Sequence, residues 1–141
     1  MKKSLSVLLL TCICFAFSGC GMLRSISERD VEGVFRTDGL IDHFYQDLII
    51  KKGNEFEEWD LFYGYYPGLN DYDVNVRGTK RGKWELDEKQ LVLTTLFEDD
   101  IPIDPSSSAK RVFGIKKMFS GVLLVEEGTT VPNILKRCDE Q

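Results

Sequence analysis

The chain has 141 residues, with 18 Lys and Arg against 23 Asp and Glu, a single His and four Cys. That length suits one domain, and a net charge of -5 argues against a nucleic-acid partner, which would need a basic face. One histidine excludes any metal or catalytic set that requires two, and 43% hydrophobic residues fits neither a disordered chain nor a multi-span membrane protein.

The first element is an address. Met1-Lys2-Lys3 is a short basic start, Leu5 to Phe17 is apolar apart from Ser6 and Thr11, and Ser18-Gly19 are small. The apolar run is shorter than the roughly 20 residues of a spanning helix, which predicts a secretory signal over 1–19. The stretch Phe17-Ser18-Gly19-Cys20 resembles the lipobox of bacterial lipoproteins. The resemblance implies cleavage before Cys20, a diacylglyceryl group on its thiol and a third acyl chain on its amine. Each buried methylene contributes about 0.8 kcal/mol and one chain anchors only marginally, so several chains on one residue make a stable anchor. Gly21 rather than Asp follows the cysteine, and the resemblance then implies delivery to the outer membrane, facing the periplasm. Cys12 and Cys14 fall in the discarded run, so Cys138 is left as a free thiol and no internal disulfide is expected.

Residues 20–30 read as a lipidated tether and 31–141 as the domain. Loss of Lys2 and Lys3 makes the mature chain more acidic still, so the domain should stand off an anionic leaflet. From Val31 onward the pattern has period two. Val31, Gly33 and Phe35 alternate with polar neighbours except at Val34, and Phe44 to Lys52 is rich in β-formers. Trp59, Leu61, Tyr63 and Tyr65 share one face, with Asp60 and Gly64 on the other. Tyr72, Val74 and Val76 alternate with polar residues, as do Trp84 and Leu86. The runs Leu91–Leu96, Val112–Met118 and Gly121–Val125 follow. Turn chemistry separates them at Lys52-Gly53-Asn54, Pro67 to Asp71, Asp87-Glu88-Lys89 and Ser120-Gly121. Gly78 to Lys83 has the wrong spacing for a phosphate loop and reads as a basic hairpin turn. Glu98 to Ser108, with its acids and prolines, reads as a long loop. Val131, Ile134, Leu135 and Cys138 fit the spacing of a short closing helix, with a final edge strand as the alternative. The expected fold is therefore mainly all-β: an antiparallel meander of about eight strands curled into a small barrel or half-barrel, ending in that helix.

Gly33-Val34-Phe35 and Gly82-Lys83-Trp84 echo one another, each placing an aromatic ring two residues after a glycine, where another backbone can pass closely. These strand starts, the Gly-Lys-Trp-Glu-Leu segment at 82–86 and the meander resemble small lipocalin-like (calycin-like) domains of bacterial lipoproteins. Phe35 stands near the domain start, where the family has Trp.

No catalytic set is recognisable. His43 beside Asp42 lacks a nucleophile elbow, and neither Asn70, Asp71 and Asp73 nor the acids from Glu98 to Asp104 have calcium-loop spacing, so neither metal nor cofactor is expected. Aromatic residues crowd one segment instead. Tyr and Trp offer apolar area with a polar tip, which makes Trp59, Tyr63, Tyr65, Tyr66 and Trp84 the candidate binding residues. The sequence thus points to a lipid-anchored, non-enzymatic envelope module, held to the membrane through Cys20, that binds an envelope protein or an apolar ligand. A small-lipophile carrier would show an open cavity of about 300 Å³ or more. A carboxylate hydrolase would show two acids about 5–9 Å apart in a concave pocket.

Overall fold

The computed structural model describes residues 25–37, 44–66 and 71–138, with the side chains of 63–66 and 71–74 outside that description. The signal segment, Cys20, His43 and the Pro67–Asn70 turn all lie outside the described residues. Among the described residues a helical turn, α1 (Glu28–Val31), leads into nine strands: β1 (Gly33–Thr37), β2 (Phe44–Lys51), β3 (Glu55–Tyr66), β4 (Asp71–Asp87), β5 (Gln90–Glu98), β6 (Ile101–Pro102), β7 (Lys110–Met118), β8 (Gly121–Glu126) and β9 (Ile134–Arg137). Each long strand pairs antiparallel with its sequence neighbours, β7 pairing back onto β5 past the two-residue β6. β9 returns to pair with β1, and β4 also pairs with β5, so eight strands close into an antiparallel barrel. Closure leaves no open edge among these eight, which is how a short meander avoids exposing unpaired backbone.

The C-terminal helix expected from Val131, Ile134, Leu135 and Cys138 is absent. Residues Ile134–Arg137 are instead β9, seated between β8 and β1 rather than at an edge. The helical spacing is misleading because only Leu135 of these residues is buried, while Val131 and Ile134 are exposed at the rim. The last strand closes the barrel, and the Cys138 amide continues the ladder by donating to the Val34 carbonyl.

The hairpin turn expected at Gly78–Lys83 is likewise wrong, because these residues lie in the middle of β4. Cross-strand acids pair with its cations: Lys83 with Glu55 at 3.0 Å, Lys80 with Glu58 at 3.4 Å and Arg81 with Asp100 at 2.7 Å. Gly82 faces a register shift in the pairing with β5, and a Cβ there would fall 2.0 Å from the Thr94 carbonyl oxygen and 2.8 Å from the Phe56 ring. Glycine is what permits this approach. Phe35 and Trp84, the rings of the two glycine–x–aromatic segments, are both buried in the core.

The core fills one end of this barrel. Phe35, Leu48, Trp84, Leu91, Phe113 and Leu124 are among the buried residues there, and Val31 of α1 is fully enclosed with them. The indole N–H of Trp84 donates to the Lys51 carbonyl at 2.9 Å, so its one polar atom is satisfied on burial. Ile26 also packs against this cluster. Of the segment read as a tether, the part from Ile26 onward is therefore docked beneath the barrel. At the opposite end β3 and β4 continue as a two-stranded ribbon, with residues 63–66 paired to 71–74 beyond the reach of β2.

Candidate functional site

Inward positions of β2 and β3 meet directly across the sheet. From the closed end the pairs are Ile50 with Phe56, Leu48 with Glu58, Gln46 with Asp60 and Phe44 with Phe62. The first pair is apolar core, and the next brings in a charge. Glu58 is only 1% exposed. Its carboxylate accepts from Arg111 of β7, a strand that is not its neighbour, so the bond crosses the interior. The Arg111 Nε also donates to Glu126 Oε1 at 2.7 Å, and the Asn133 amide donates to Glu126 Oε2 at 2.8 Å. Lys80 completes this polar belt from β4.

Burial works against both charges of the Arg111–Glu126 pair, but their mutual bonding outweighs it. For Arg111, burial would lower the guanidinium pKa, and the bonds from Glu126 and Glu58 raise it above its ordinary value. For Glu126, burial would raise the carboxyl pKa, and the donors Arg111 and Asn133 hold it below the usual range. Charges that are enclosed, paired and hydrogen-bonded in this way are tolerated in an interior where unpaired ones are not.

Above the belt the barrel is not filled. A cavity of about 730 Å³ opens at this end. Its wall combines Phe44, Leu61, Val131 and Ile134 with the polar groups Gln46, Asp60, Arg77, Glu98 and Asp99. Phe44 and Phe62 lie 4.9 Å apart, and the Arg77 guanidinium covers both rings at 4.8 and 5.0 Å, a cation–π arrangement that fixes a positive charge at the rim. The Gln46 amide donates to Asp60 Oδ1 at 2.7 Å, while its own oxygen is enclosed with no donor partner.

Gly78 lies between two acids. A Cβ there would stand 3.6 Å from Asp60 Oδ2 and 3.7 Å from Asp99 Oδ1. Asp99 is held by β4 from both sides, its N–H donating to the Thr79 carbonyl at 2.8 Å and its Oδ1 accepting the Thr79 N–H at 2.8 Å. The acidic segment expected as a long loop thus folds back at Asp99-Asp100, both at positive φ, and pairs β6 with the end of β5. Asp104 caps the following turn by accepting the Ser106 amide and hydroxyl.

The candidate binding residues separate. Trp84 is in the packed end and fills it. Trp59 points outward from β3 and is 38% exposed. Tyr63, Tyr65 and Tyr66 belong by backbone to the ribbon beyond the mouth, with their side chains outside the described residues. Cys20 also lies outside the described residues. Trp59 and Trp84 therefore lie on opposite faces of the sheet and do not share a site. Residues the sequence reading passed over, Gln46, Asp60, Arg77 and Asp99, line the cavity instead. The available signal was strand phase: with Ile50 and Leu48 inward, Gln46 and Phe44 must be inward too, and with Phe56 inward, Glu58 and Asp60 follow.

Among the described residues no group of three His, Cys, Asp or Glu is placed to hold a metal ion, and no helix is long and apolar enough to cross a membrane. Cys138 is a free, half-buried thiol. No family model matches the chain, and no curated protein or solved structure is significantly similar to it.

Proposed function

We propose that this is a lipid-anchored envelope lipoprotein whose barrel takes a small amphipathic ligand into its open end without transforming it. The observation that carries the reading is the cavity of about 730 Å³, confined to one end of an otherwise packed barrel. That volume falls within the roughly 300–1,000 Å³ of small-molecule sites. A filled interior would instead have favoured protein–protein contact. The apolar wall suits a hydrocarbon or ring system, and the acceptors Asp60, Glu98, Asp99 and the Gln46 oxygen suit donor groups or a positive charge on the same ligand. A sequential eight-stranded meander closed on itself supports the lipocalin-like resemblance, and the lipobox supports the anchor.

Cys20→Ala should release the protein from membrane fractions and abolish acyl labelling; retention on the membrane contradicts the anchor. The released protein should then enhance the emission of an uncharged polarity-sensitive dye such as Nile red. Gly78→Trp, which places an indole in the cavity, should abolish that enhancement while the circular dichroism spectrum is preserved. An unchanged dye response would overturn the cavity as the site.

The second reading is a carboxylate hydrolase, favoured by one observation: Asp60 and Asp99 both approach Gly78. Each already accepts an N–H, an arrangement suited to holding a donor rather than to delivering a proton. Replacing both by Asn should weaken binding of a cationic amphiphile. Release of a cleaved product by the parent protein, lost in that double variant, would establish the hydrolase.

A further inference from the structure

We propose that the closed end of the barrel rests on the membrane, with the Met118-Phe119 tip of the β7–β8 hairpin inserted at the boundary between headgroups and acyl chains, so that the mouth opens away from the bilayer. This rests on the reading of Cys20 as the acylated residue. Phe119 is fully exposed and Met118 is 54% exposed, an apolar pair held out at a tight turn with nothing folded over it. The strands on either side of the tip are fixed by the barrel, so the exposure is imposed by the fold.

The chain enters at this same end. Asp30 of α1 bonds Lys117, the residue before Met118, at 2.6 Å, and the Asp30 carboxylate also takes the Ser27 amide and hydroxyl. The Arg137 guanidinium reaches the Asp30 carbonyl at 3.4 Å. With Ile26 packed on the core, only about five residues separate Cys20 from the docked chain. Fully extended, the six steps from Cys20 to Ile26 span at most about 22 Å. The barrel wall, about nine residues of strand tilted about 40° to the axis, is roughly 23 Å high, and a chain leaving from beneath must also round the barrel's edge to reach the mouth. An acyl anchor on so short a leash keeps the closed end near the bilayer and places the mouth on the far side.

Charge permits this contact. The closed end carries Arg29, Lys52, Lys89, Lys116 and Lys117 against Glu28, Asp30, Glu32, Asp87 and Glu88, whereas the mouth carries Asp99, Asp100 and Asp104. The closed end is thus balanced in charge, and an anionic leaflet does not repel it as it would the acidic turn at the mouth. Apolar tips flanked by lysines are suited to shallow insertion, the apolar atoms entering the interface and the ammonium groups remaining among the headgroups. The exposed Val131 and Ile101 at the mouth offer the opposite orientation, which the tether length disfavours.

The test uses the full acylated protein in phosphatidylethanolamine–phosphatidylglycerol vesicles containing phosphatidylcholine brominated high on its acyl chains. Phe119→Trp and Val131→Trp each add one fluorophore at an exposed site, and each is read against the parent, whose Trp59 and Trp84 set the baseline. The emission added at 119 should be lost to quenching and that added at 131 retained. Quenching at 131 with none at 119, or equal quenching at both, overturns the orientation. Intact-mass measurement of the same preparation separates the two claims: protein without acyl chains ends both the anchor and the docking, whereas acylated protein with unquenched Phe119→Trp ends the docking alone.

Discussion

The two ends of the barrel share one strand register and use it differently. On β2 and β3 the inward pairs pass from Ile50–Phe56 through Leu48–Glu58 and Gln46–Asp60 to Phe44–Phe62 within a few residues. At the closed end every inward side chain meets another and the space is full. At the open end the same alternation places the Gln46 amide, the Asp60 carboxylate and the Phe44 ring, with Arg77 over it, in the wall of the cavity. The transition is made by the Glu58–Arg111–Glu126 belt, which satisfies buried charges across the interior and so lets the packed core stop short of the mouth. Closing a small sheet therefore does not oblige the sequence to fill it. One packed end supplies the stability, and the other is free to be a site.

The largest expected effect comes from breaking the boundary. Arg111→Met leaves Glu58 and Glu126 without their shared cation and should cost about 3–5 kcal/mol, the usual consequence of orphaning a buried charge, as read by urea denaturation. A cost near zero would mean the belt does not separate the two ends. Two glycines of β4 sharpen the contrast further. Gly82→Ala, on the packed side, forces a methyl into the Thr94 carbonyl and should cost about 1–3 kcal/mol. Gly78→Ala, a few residues toward the mouth, meets only ordinary contacts and should change stability by less than about 0.5 kcal/mol.

At the mouth the effect should move from stability to affinity. Replacing Val131 and Ile134 together by Ser should leave the melting temperature nearly unchanged and weaken dye binding about tenfold, or about 1.4 kcal/mol. A large fall in melting temperature with unchanged binding would reverse the assignment of the two ends.

The smallest effect concerns the docking of α1. The bond from Lys117, reinforced by the Ser27 amide, holds the Asp30 carboxyl down at about 2. Its folded value lies below the unfolded one, so its contribution is fully present above about pH 4 and is lost as pH falls toward 2. Glu126 shifts in the same direction. Asp30→Asn should therefore lower stability slightly at neutral pH and flatten the acid limb of the melting curve between pH 4 and 2, measurable by thermal denaturation across that window.

Much of the fold was legible because strands announce themselves by alternation and their ends by turn residues: Gly53-Asn54 and Glu88 do adopt the positive φ their turns require. The closing strand was not, because Val131, Ile134 and Leu135 mimic a helical face while only Leu135 is buried. The mid-strand position of Lys80, Arg81 and Lys83 was hidden for a different reason: their partners Glu58, Asp100 and Glu55 are distant in sequence. The site was least legible. Aromatic residues pointed to Trp59 and Trp84, yet β3 turns Glu58 and Asp60 inward and Trp59 outward, an inversion of the hydrophobic-inside rule made tolerable by partners on other strands, Arg111 and Lys80 for Glu58 and Gln46 for Asp60.

The most direct test of the central claim is an amide NMR titration of the protein with the uncharged dye. The account predicts shifts at Phe44 to Gln46, Asp60, Gly78 and Val131 to Ile134, with Leu91, Phe113 and Leu124 unmoved. Shifts centred on the closed end, or none at saturating dye, would contradict it.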